Sequence, residues 1–240
     1  MRIALLLLLI AASSFAQSGL DTPRLGMMLD RDGALRPVQG VAASVTLGDP
    51  VLRDAVSFYC GRERCLVKTA QAIVDGDRSA EAPLGNAVFG DSLVYFFETK
   101  QLARWNEGKI EPVLLASPIE GDVLSLRASG EDAVDFAVRR DAGISILRVR
   151  ISDGQVELLD AFPPATGPVM LLRDGILLAT PEELILRRGD GFEKRFGVPG
   201  AERMFALGEN LVQIVTPGGI FALRVERGRE LLFQLPETAQ

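Results

Sequence analysis

The segments ILLATPEELILR (residues 176–187) and VQIVTPGGIFALR (residues 212–224) share one plan. Each is an apolar strand, then Thr-Pro and a two-residue turn, and then a second strand that ends in arginine. Weaker copies lie upstream, and the equivalent positions are Asp30, Thr69, Thr99, Arg140, Thr180 and Thr216. Their spacings of 39, 30, 41, 40 and 36 residues indicate a tandem repeat of one small β-unit.

Each repeat also carries a predicted strand before the hairpin and, in most copies, another after it, with Gly- and Asp-containing turns between them. Four short strands in every 35–45 residues or so are typical of a β-propeller blade. A small sheet cannot cover both of its faces, whereas radial stacking buries each face on a neighbour. We therefore predict an all-β chain that forms a β-propeller of about six four-stranded blades, the first of which lacks its innermost strand. Five blades plus an N-terminal hairpin and a β-sandwich are the alternatives.

Residues 1–16 have the pattern of a secretory signal peptide. Arg2 gives a positive start, ALLLLLIAA (residues 4–12) is apolar, and Ser14 and Ala16 are small residues placed for cleavage before Gln17. The apolar run is shorter than the roughly 20 residues that span a bilayer. We expect export to the periplasm or the extracellular space without membrane insertion. A short segment (17–24), a single propeller domain (25–236) and a tail (237–240) would follow.

Cys60 and Cys65 are the only cysteines, and they flank a short connection between two predicted strands. A zinc site needs further ligands that the chain does not offer, and the spacing is not that of a redox C-x-x-C motif. Cysteines that face each other across such a hairpin lie within disulfide reach, and export favours their oxidation. We predict a disulfide that stabilises the fold by about 2 kcal/mol.

The charge balance and the residue inventory exclude several functions. With 26 basic against 32 acidic side chains, the net charge of −6 disfavours nucleic acid and anionic membrane surfaces as partners. The chain has no histidine, so Ser-His and Cys-His catalysis are absent. No catalytic motif is recognisable, and we predict no catalytic residue, no metal ligand and no required cofactor.

Acidic residues recur in the loops where the central channel of a propeller would open. We single out Asp54, Glu120, Asp122 and Glu202 as candidate binding residues; Asp49 and Glu81 lie in similar loops. Converging carboxylates would coordinate a cation such as calcium or pair as acid and base. The competing interpretation is an acidic, solvated surface. Asp30 to Gly33 resembles the start of a calcium loop, but a hairpin turn explains the same residues.

Arginines recur in the third strand of the repeats, at Arg36, Arg104, Arg148, Arg187 and Arg224. A ring of guanidinium groups would bind a polyanion, but a long side chain at the solvent-facing position of a strand is the simpler explanation.

The Thr-Pro hairpins, the repeat period, the export signal and the ending GIFALRVERGRELLFQLP (residues 219–236) together carry a family resemblance. The chain resembles an uncharacterised group of exported bacterial β-propeller-like repeat proteins, over most of its mature length. The shared motifs are structural, so the resemblance implies a fold and no activity. We predict a non-catalytic binding or structural module for a protein or glycan partner. The alternative is a cation-dependent hydrolase or lactonase at the channel mouth.

Overall fold

The computed structural model describes residues 23–42, 44–62, 64–115, 117–164 and 167–237. Regular structure in these residues is entirely β, as the repeat pattern predicts. No helix in this part of the chain is long and apolar enough to cross a membrane. The predicted signal peptide, residues 1–16, lies outside the described residues.

The strands follow one another as antiparallel meanders. The N-terminal sheet has three strands, β1 (Arg24–Leu29), β2 (Leu35–Val41) and β3 (Ser44–Leu47). The next two meanders contain β4 (Ala55–Cys60), β5 (Cys65–Thr69), β6 (Ala72–Asp75), β7 (Arg78–Glu81), β8 (Ala87–Gly90), β9 (Leu93–Phe96), β10 (Gln101–Asn106) and β11 (Lys109–Val113). The last three contain β12 (Asp122–Ala128), β13 (Ala133–Arg140), β14 (Gly143–Arg150), β15 (Val156–Phe162), β16 (Val169–Leu172), β17 (Gly175–Ala179), β18 (Leu184–Arg188), β19 (Glu193–Phe196), β20 (Arg203–Gly208), β21 (Leu211–Thr216), β22 (Gly219–Arg224) and β23 (Leu231–Leu235).

The first strands of the four-stranded meanders, here called inner strands, contact one another in a closed cycle. β4 contacts β8, β8 contacts β12, β12 contacts β16, β16 contacts β20, and β20 returns to β4. The cycle closes through a parallel pairing of Ala206 with Tyr59, which joins the last and the first meanders into one eight-stranded sheet. The described chain therefore has a β-propeller arrangement that includes four sheets of at least four strands. The prediction of a propeller is confirmed.

The repeated threonine organises the turn between the second and third strands of a meander. The backbone N–H of Glu183 donates to Thr180 Oγ1 at 3.1 Å, and the hydroxyl donates to the Glu183 carbonyl, also at 3.1 Å. Thr69 makes the same pair of contacts with Ala72, and the Thr216 hydroxyl accepts from the Gly218 N–H and donates to the Gly219 carbonyl. The repeat in the sequence therefore reflects a turn that recurs along the chain and is closed each time by side-chain hydrogen bonds.

The N-terminal sheet packs where the last and first meanders meet, since β1 contacts both β20 and β4. The buried Gln213 side chain accepts from the Leu29 N–H at 2.9 Å and donates to the Leu29 carbonyl at 2.6 Å. Gly26 has a φ of 154°, and a Cβ there would lie only 1.9 Å from the carbonyl oxygen of Leu207. Glycine is therefore required at this close approach.

Apolar cores fill the spaces between neighbouring meanders. One core joins Leu184 and Leu186 of β18 to Ile214 and Leu223 of the last meander. Another places the buried Trp105 beside Leu66 of the preceding meander, and the Trp105 indole N–H donates to Asp75 at 3.1 Å. Each sheet is thus covered by its neighbour.

Candidate functional site

A cavity of about 540 Å³ lies where the inner strands meet. Every inner strand contributes to its wall, through Tyr59, Phe89, Leu126, Leu171 and Ala206. The other lining residues come from the carboxyl-terminal parts of these strands, from the turns that follow them and from neighbouring strands. We call this end of the ring the turn face, and the opposite end, formed by the loops that precede the inner strands, the loop face. The cavity belongs to the turn face.

The wall combines an apolar lining with charged groups. Phe89, Leu126, Met170, Leu172 and Val212 contribute apolar surface. Four arginines also line the cavity, together with two acidic residues, and these are Arg62, Arg127, Arg148, Arg173, Asp91 and Glu209. Guanidinium groups therefore outnumber carboxylates in the lining of a protein whose net charge is −6.

Two of the arginines are held by one buried carboxylate behind the wall. The Asp135 side chain is fully buried, and it accepts from Arg127 Nη2 at 2.5 Å and from Arg148 Nε at 2.7 Å. Burial alone would raise the pKa of Asp135, but the hydrogen bonds from Arg148 and Arg127 outweigh it and leave the pKa below its usual value. Asp135 is therefore ionised at neutral pH and fixes both guanidinium groups.

Arg127 also connects two meanders. Its Nη1 donates to the carbonyl of Leu172 and, at 3.3 Å, to that of Arg173. These carbonyls lie at the end of β16, whereas Arg127 belongs to β12. The contact fixes the backbone that carries the Arg173 side chain at the rim.

Tyr59 and the disulfide shape the opposite side of the rim. The Tyr59 hydroxyl donates to Asp91 Oδ1 at 2.9 Å, and burial together with the Asp91 carboxylate raises the pKa of Tyr59. The next residue, Cys60, is bonded to Cys65, so the predicted disulfide is confirmed. Because Gly61 and Arg62 lie inside the closed loop, the disulfide restrains a segment of the cavity rim.

The structure places the four predicted acidic residues on the loop face. Asp54, Glu120, Asp122 and Glu202 are exposed, and they precede or begin the inner strands β4, β12 and β20. Glu120 and Asp122 share a depression of about 440 Å³, which Gly121, Arg139, Arg140 and Asp141 also line. In the described part of the chain, no three Asp, Glu, His or Cys side chains form a group that would hold a metal ion. A cation site among these residues stays a prediction.

Four of the five repeated arginines face an acidic residue of their own sheet, whereas Arg224 lies opposite Leu231. Arg104, Arg148 and Arg187 lie directly opposite Glu111, Glu157 and Glu193 of the fourth strands. Arg36 donates to Asp30 at 2.8 Å. Asp30 also accepts from the backbone N–H groups of Asp32 and Ala34, so the segment that resembles a calcium loop forms a hairpin turn.

Sequence reasoning missed most of the cavity residues. The sequence marks Arg148 only as a member of the repeated series. No motif marks the other charged residues, which are Arg62, Arg127, Arg173 and Asp135. The available signal was a charged residue inside an apolar strand: Asp135 interrupts the run AVDFAV (residues 133–138). A carboxylate at such a position requires buried partners.

Comparison with known proteins supports the fold. No protein-family profile matches the chain, and no curated protein matches it. A chain of a nidogen/laminin complex is similar in structure with a TM-score of 0.58 at 7% identity, covering 88% of this chain and 93% of that one. This identity supports a shared fold alone.

Two bacterial structures are similar at lower scores. PorZ, a surface component of the type-IX secretion system of Porphyromonas gingivalis, has a TM-score of 0.47 at 15% identity, over 90% of this chain. The present chain spans about a third of PorZ, 33% of its length. A virginiamycin B lyase from Staphylococcus aureus has a TM-score of 0.46 at 13% identity, covering 92% of this chain and 86% of that one.

Proposed function

We propose that this protein is an exported, non-catalytic binding module that receives part of a protein or glycan partner in the cavity of its turn face. The observation that carries the proposal is the construction of that cavity. All five inner strands contribute to it, and arginines fixed by Asp135 lie in its wall. Its volume of about 540 Å³ falls in the range of roughly 300–1,000 Å³ that is usual for ligand sites.

We further propose that the ring is one domain over residues 25–236 with six blades. Five blades would be the meanders that begin with β4, β8, β12, β16 and β20. The sixth would be the sheet of β1, β2 and β3, which lacks an innermost strand. The packing of β1 against β20 and β4 places this sheet at the junction of the last and first four-stranded meanders. Because Ala206 of β20 also pairs directly with Tyr59 of β4, five blades plus the N-terminal sheet is the alternative count.

Export is supported by two independent features. The sequence of residues 1–16 fits a signal peptide, and the Cys60–Cys65 disulfide fits an oxidising compartment. Expression of the full chain in a bacterial host should yield a periplasmic or secreted product that begins at Gln17. Intact-mass measurement checks this, and a product that retains residues 1–16 in the cytoplasm would contradict it.

The binding function is tested by filling the cavity. Ala206 lines the cavity on β20, so Ala206→Phe places a ring inside it. Ala161→Phe adds the same bulk to the exposed strand β15 and serves as the matched control. Immobilised mature protein should capture a partner from the native extracellular or periplasmic fraction.

The Ala161→Phe variant should retain that capture, and the Ala206→Phe variant should lose it while keeping its thermal unfolding transition. Equal capture by a folded Ala206→Phe variant would show that the partner binds elsewhere, and the proposal would be wrong.

A further inference from the structure

We propose that the cavity of the turn face binds a carboxylate group carried on an apolar body. The inference deepens the proposed function, and it rests on that function because it takes the cavity to be a binding site. Arg62 and Arg173 would hold the carboxylate at the rim, and the apolar wall would receive the body attached to it.

The rim of the cavity favours an anion. Four guanidinium groups line the cavity, and two of them are matched by acidic residues outside the lining: Asp135 holds Arg127 and Arg148, and Glu157 lies opposite Arg148. The acidic residues of the lining are Asp91 and Glu209, and among the described residues neither forms an ion pair with Arg62 or Arg173. A bound anion would supply the partner that these two guanidinium groups lack.

The lining also indicates the kind of anion. Because Asp91 and Glu209 line the same cavity, a carboxylate with one negative charge meets less repulsion there than a phosphate monoester, which carries nearly two near neutral pH. The planar guanidinium group matches a carboxylate through two parallel hydrogen bonds.

The two rim arginines have the freedom that such binding needs. Arg62 and Arg173 are exposed, and neither side chain makes a hydrogen bond or ion pair with the residues that the structure describes. The positions from which they extend are nevertheless restrained. Arg62 lies within the disulfide-closed loop, and the carbonyl of Arg173 accepts from Arg127. The rim therefore presents exposed guanidinium groups on a restrained backbone.

The apolar wall defines the rest of the ligand. Phe89, Leu126, Met170 and Val212 offer a surface that excludes a fully hydrated anion but accepts an aliphatic or aromatic group. Both a free organic acid and the C-terminal residue of a protein chain have this chemistry. In each of them a carboxylate stands next to an apolar substituent.

Isothermal titration with 3-phenylpropionate and 3-phenylpropionamide tests the proposal, because the two probes have similar shapes and differ in charge. The wild-type protein should bind the acid at least about tenfold more tightly than the amide, since a charge-assisted hydrogen bond contributes about 1.5–3 kcal/mol. Arg62→Gln/Arg173→Gln should remove this preference and leave amide binding unchanged. Arg53→Gln, at an exposed arginine of the loop face, is the control and should behave as wild type.

A second pair of probes separates the two sources of the ligand. The tripeptide Ala-Leu-Phe with a free C-terminal carboxylate is compared with its C-terminal amide. Tighter binding of the peptide acid than of 3-phenylpropionate would assign the site to protein C-termini, and the reverse order would assign it to free organic acids. Either order supports the carboxylate proposal.

The outcomes also separate this inference from the proposed function. Equal affinity for acid and amide, abolished by Ala206→Phe, would leave the cavity as a binding site and overturn the carboxylate preference. If the Ala206→Phe variant still captured the native partner, the proposed binding function of this cavity would be wrong. Failure of both probe acids to bind the folded wild-type protein at millimolar concentration would overturn the carboxylate proposal.

Discussion

The turn face and the loop face are both built from short connections between strands, but they hold their charged groups in different ways. On the turn face, Arg127 and Arg148 extend from strands and are fixed by the buried Asp135. On the loop face, Asp54 and Glu202 are exposed side chains beside the starts of inner strands. The comparison shows that charged residues near the channel differ in how firmly the surrounding structure holds them. A site needs charged groups that the core holds in place.

Asp54 illustrates this difference, because its backbone conformation alone explains why an aspartate occurs at this position. Its φ of 59° is in the left-handed region, which aspartate tolerates better than most residues. The side chain therefore fits the turn that leads into β4 without any ligand.

The largest effect is expected from Asp135→Asn. The substitution leaves two guanidinium groups without their shared carboxylate, which should cost about 3 kcal/mol of unfolding free energy. Urea unfolding measures the loss. Asp160→Asn, on the exposed strand β15, is the matched control and should change stability by less than about 0.5 kcal/mol. Equal stability of the two variants would mean that Asp135 does not organise the turn face.

Removal of the disulfide should have the next largest effect. Cys60→Ser/Cys65→Ser opens a loop with a sequence separation of 5, and the loss of unfolding free energy should be about 2 kcal/mol. The affinity for 3-phenylpropionate should fall as well, because Arg62 lies in that loop. A reductant should reproduce both effects in the wild type and have none on the double variant. An unchanged affinity for 3-phenylpropionate would show that the disulfide does not position the rim of the cavity.

Lowering the pH should reduce the unfolding free energy gradually, because it protonates the Asp135 carboxylate that the substitution removes. Because the folded-state pKa of Asp135 is lowered, its contribution to stability is complete above about pH 5 and is lost as the pH falls through about 4 and below. Other carboxylates with lowered pKa values titrate in the same range, namely Asp153, Asp190, Glu193 and Glu230. The difference between wild type and Asp135→Asn, measured from pH 7 to 3, isolates Asp135. If the unfolding free energies of the two proteins fell in parallel between pH 7 and 3, the assignment of this pH dependence to Asp135 would be wrong.

The smallest effect is expected from neutralising the loop face. In the combined variant Asp54→Asn/Glu120→Gln/Asp122→Asn/Glu202→Gln, each substitution should change stability by less than about 0.5 kcal/mol. Affinity for 3-phenylpropionate should stay within twofold of the wild type. If millimolar calcium raised the Tm of the wild type but not of this variant, the loop face would hold a cation site after all.

The fold was predictable because its repeated element is local. Thr180 and Thr216 each close a turn with contacts inside four residues, so the chemistry is visible in the sequence. Asp30 also closes a turn in the N-terminal copy, where its carboxylate accepts from the backbone N–H groups of Asp32 and Ala34. The Cys60–Cys65 pair was predictable for the same reason.

The cavity was not predictable because the direction of its side chains depends on irregularities in the inner strands. Register shifts occur between Val123 and Ser125 in β12 and between Ala206 and Gly208 in β20. Such a bulge reverses the alternation of inward and outward side chains beyond it. Counting by twos along β12 therefore does not reveal where Arg127 points. The partnership of Asp135 with Arg127 depends on the same register.

The contact between Leu29 and Gln213 joins residues that are 184 positions apart. During synthesis, β1 is among the first strands to be made, and it has to wait for the final meander before its backbone groups find these partners. Until then β1 and β4 present unpaired strand edges, which are prone to join other chains. A ribosome that stalled before residue 203 would release a chain unable to close its ring. Closure of the ring therefore requires that translation has passed through the strands of the final meander.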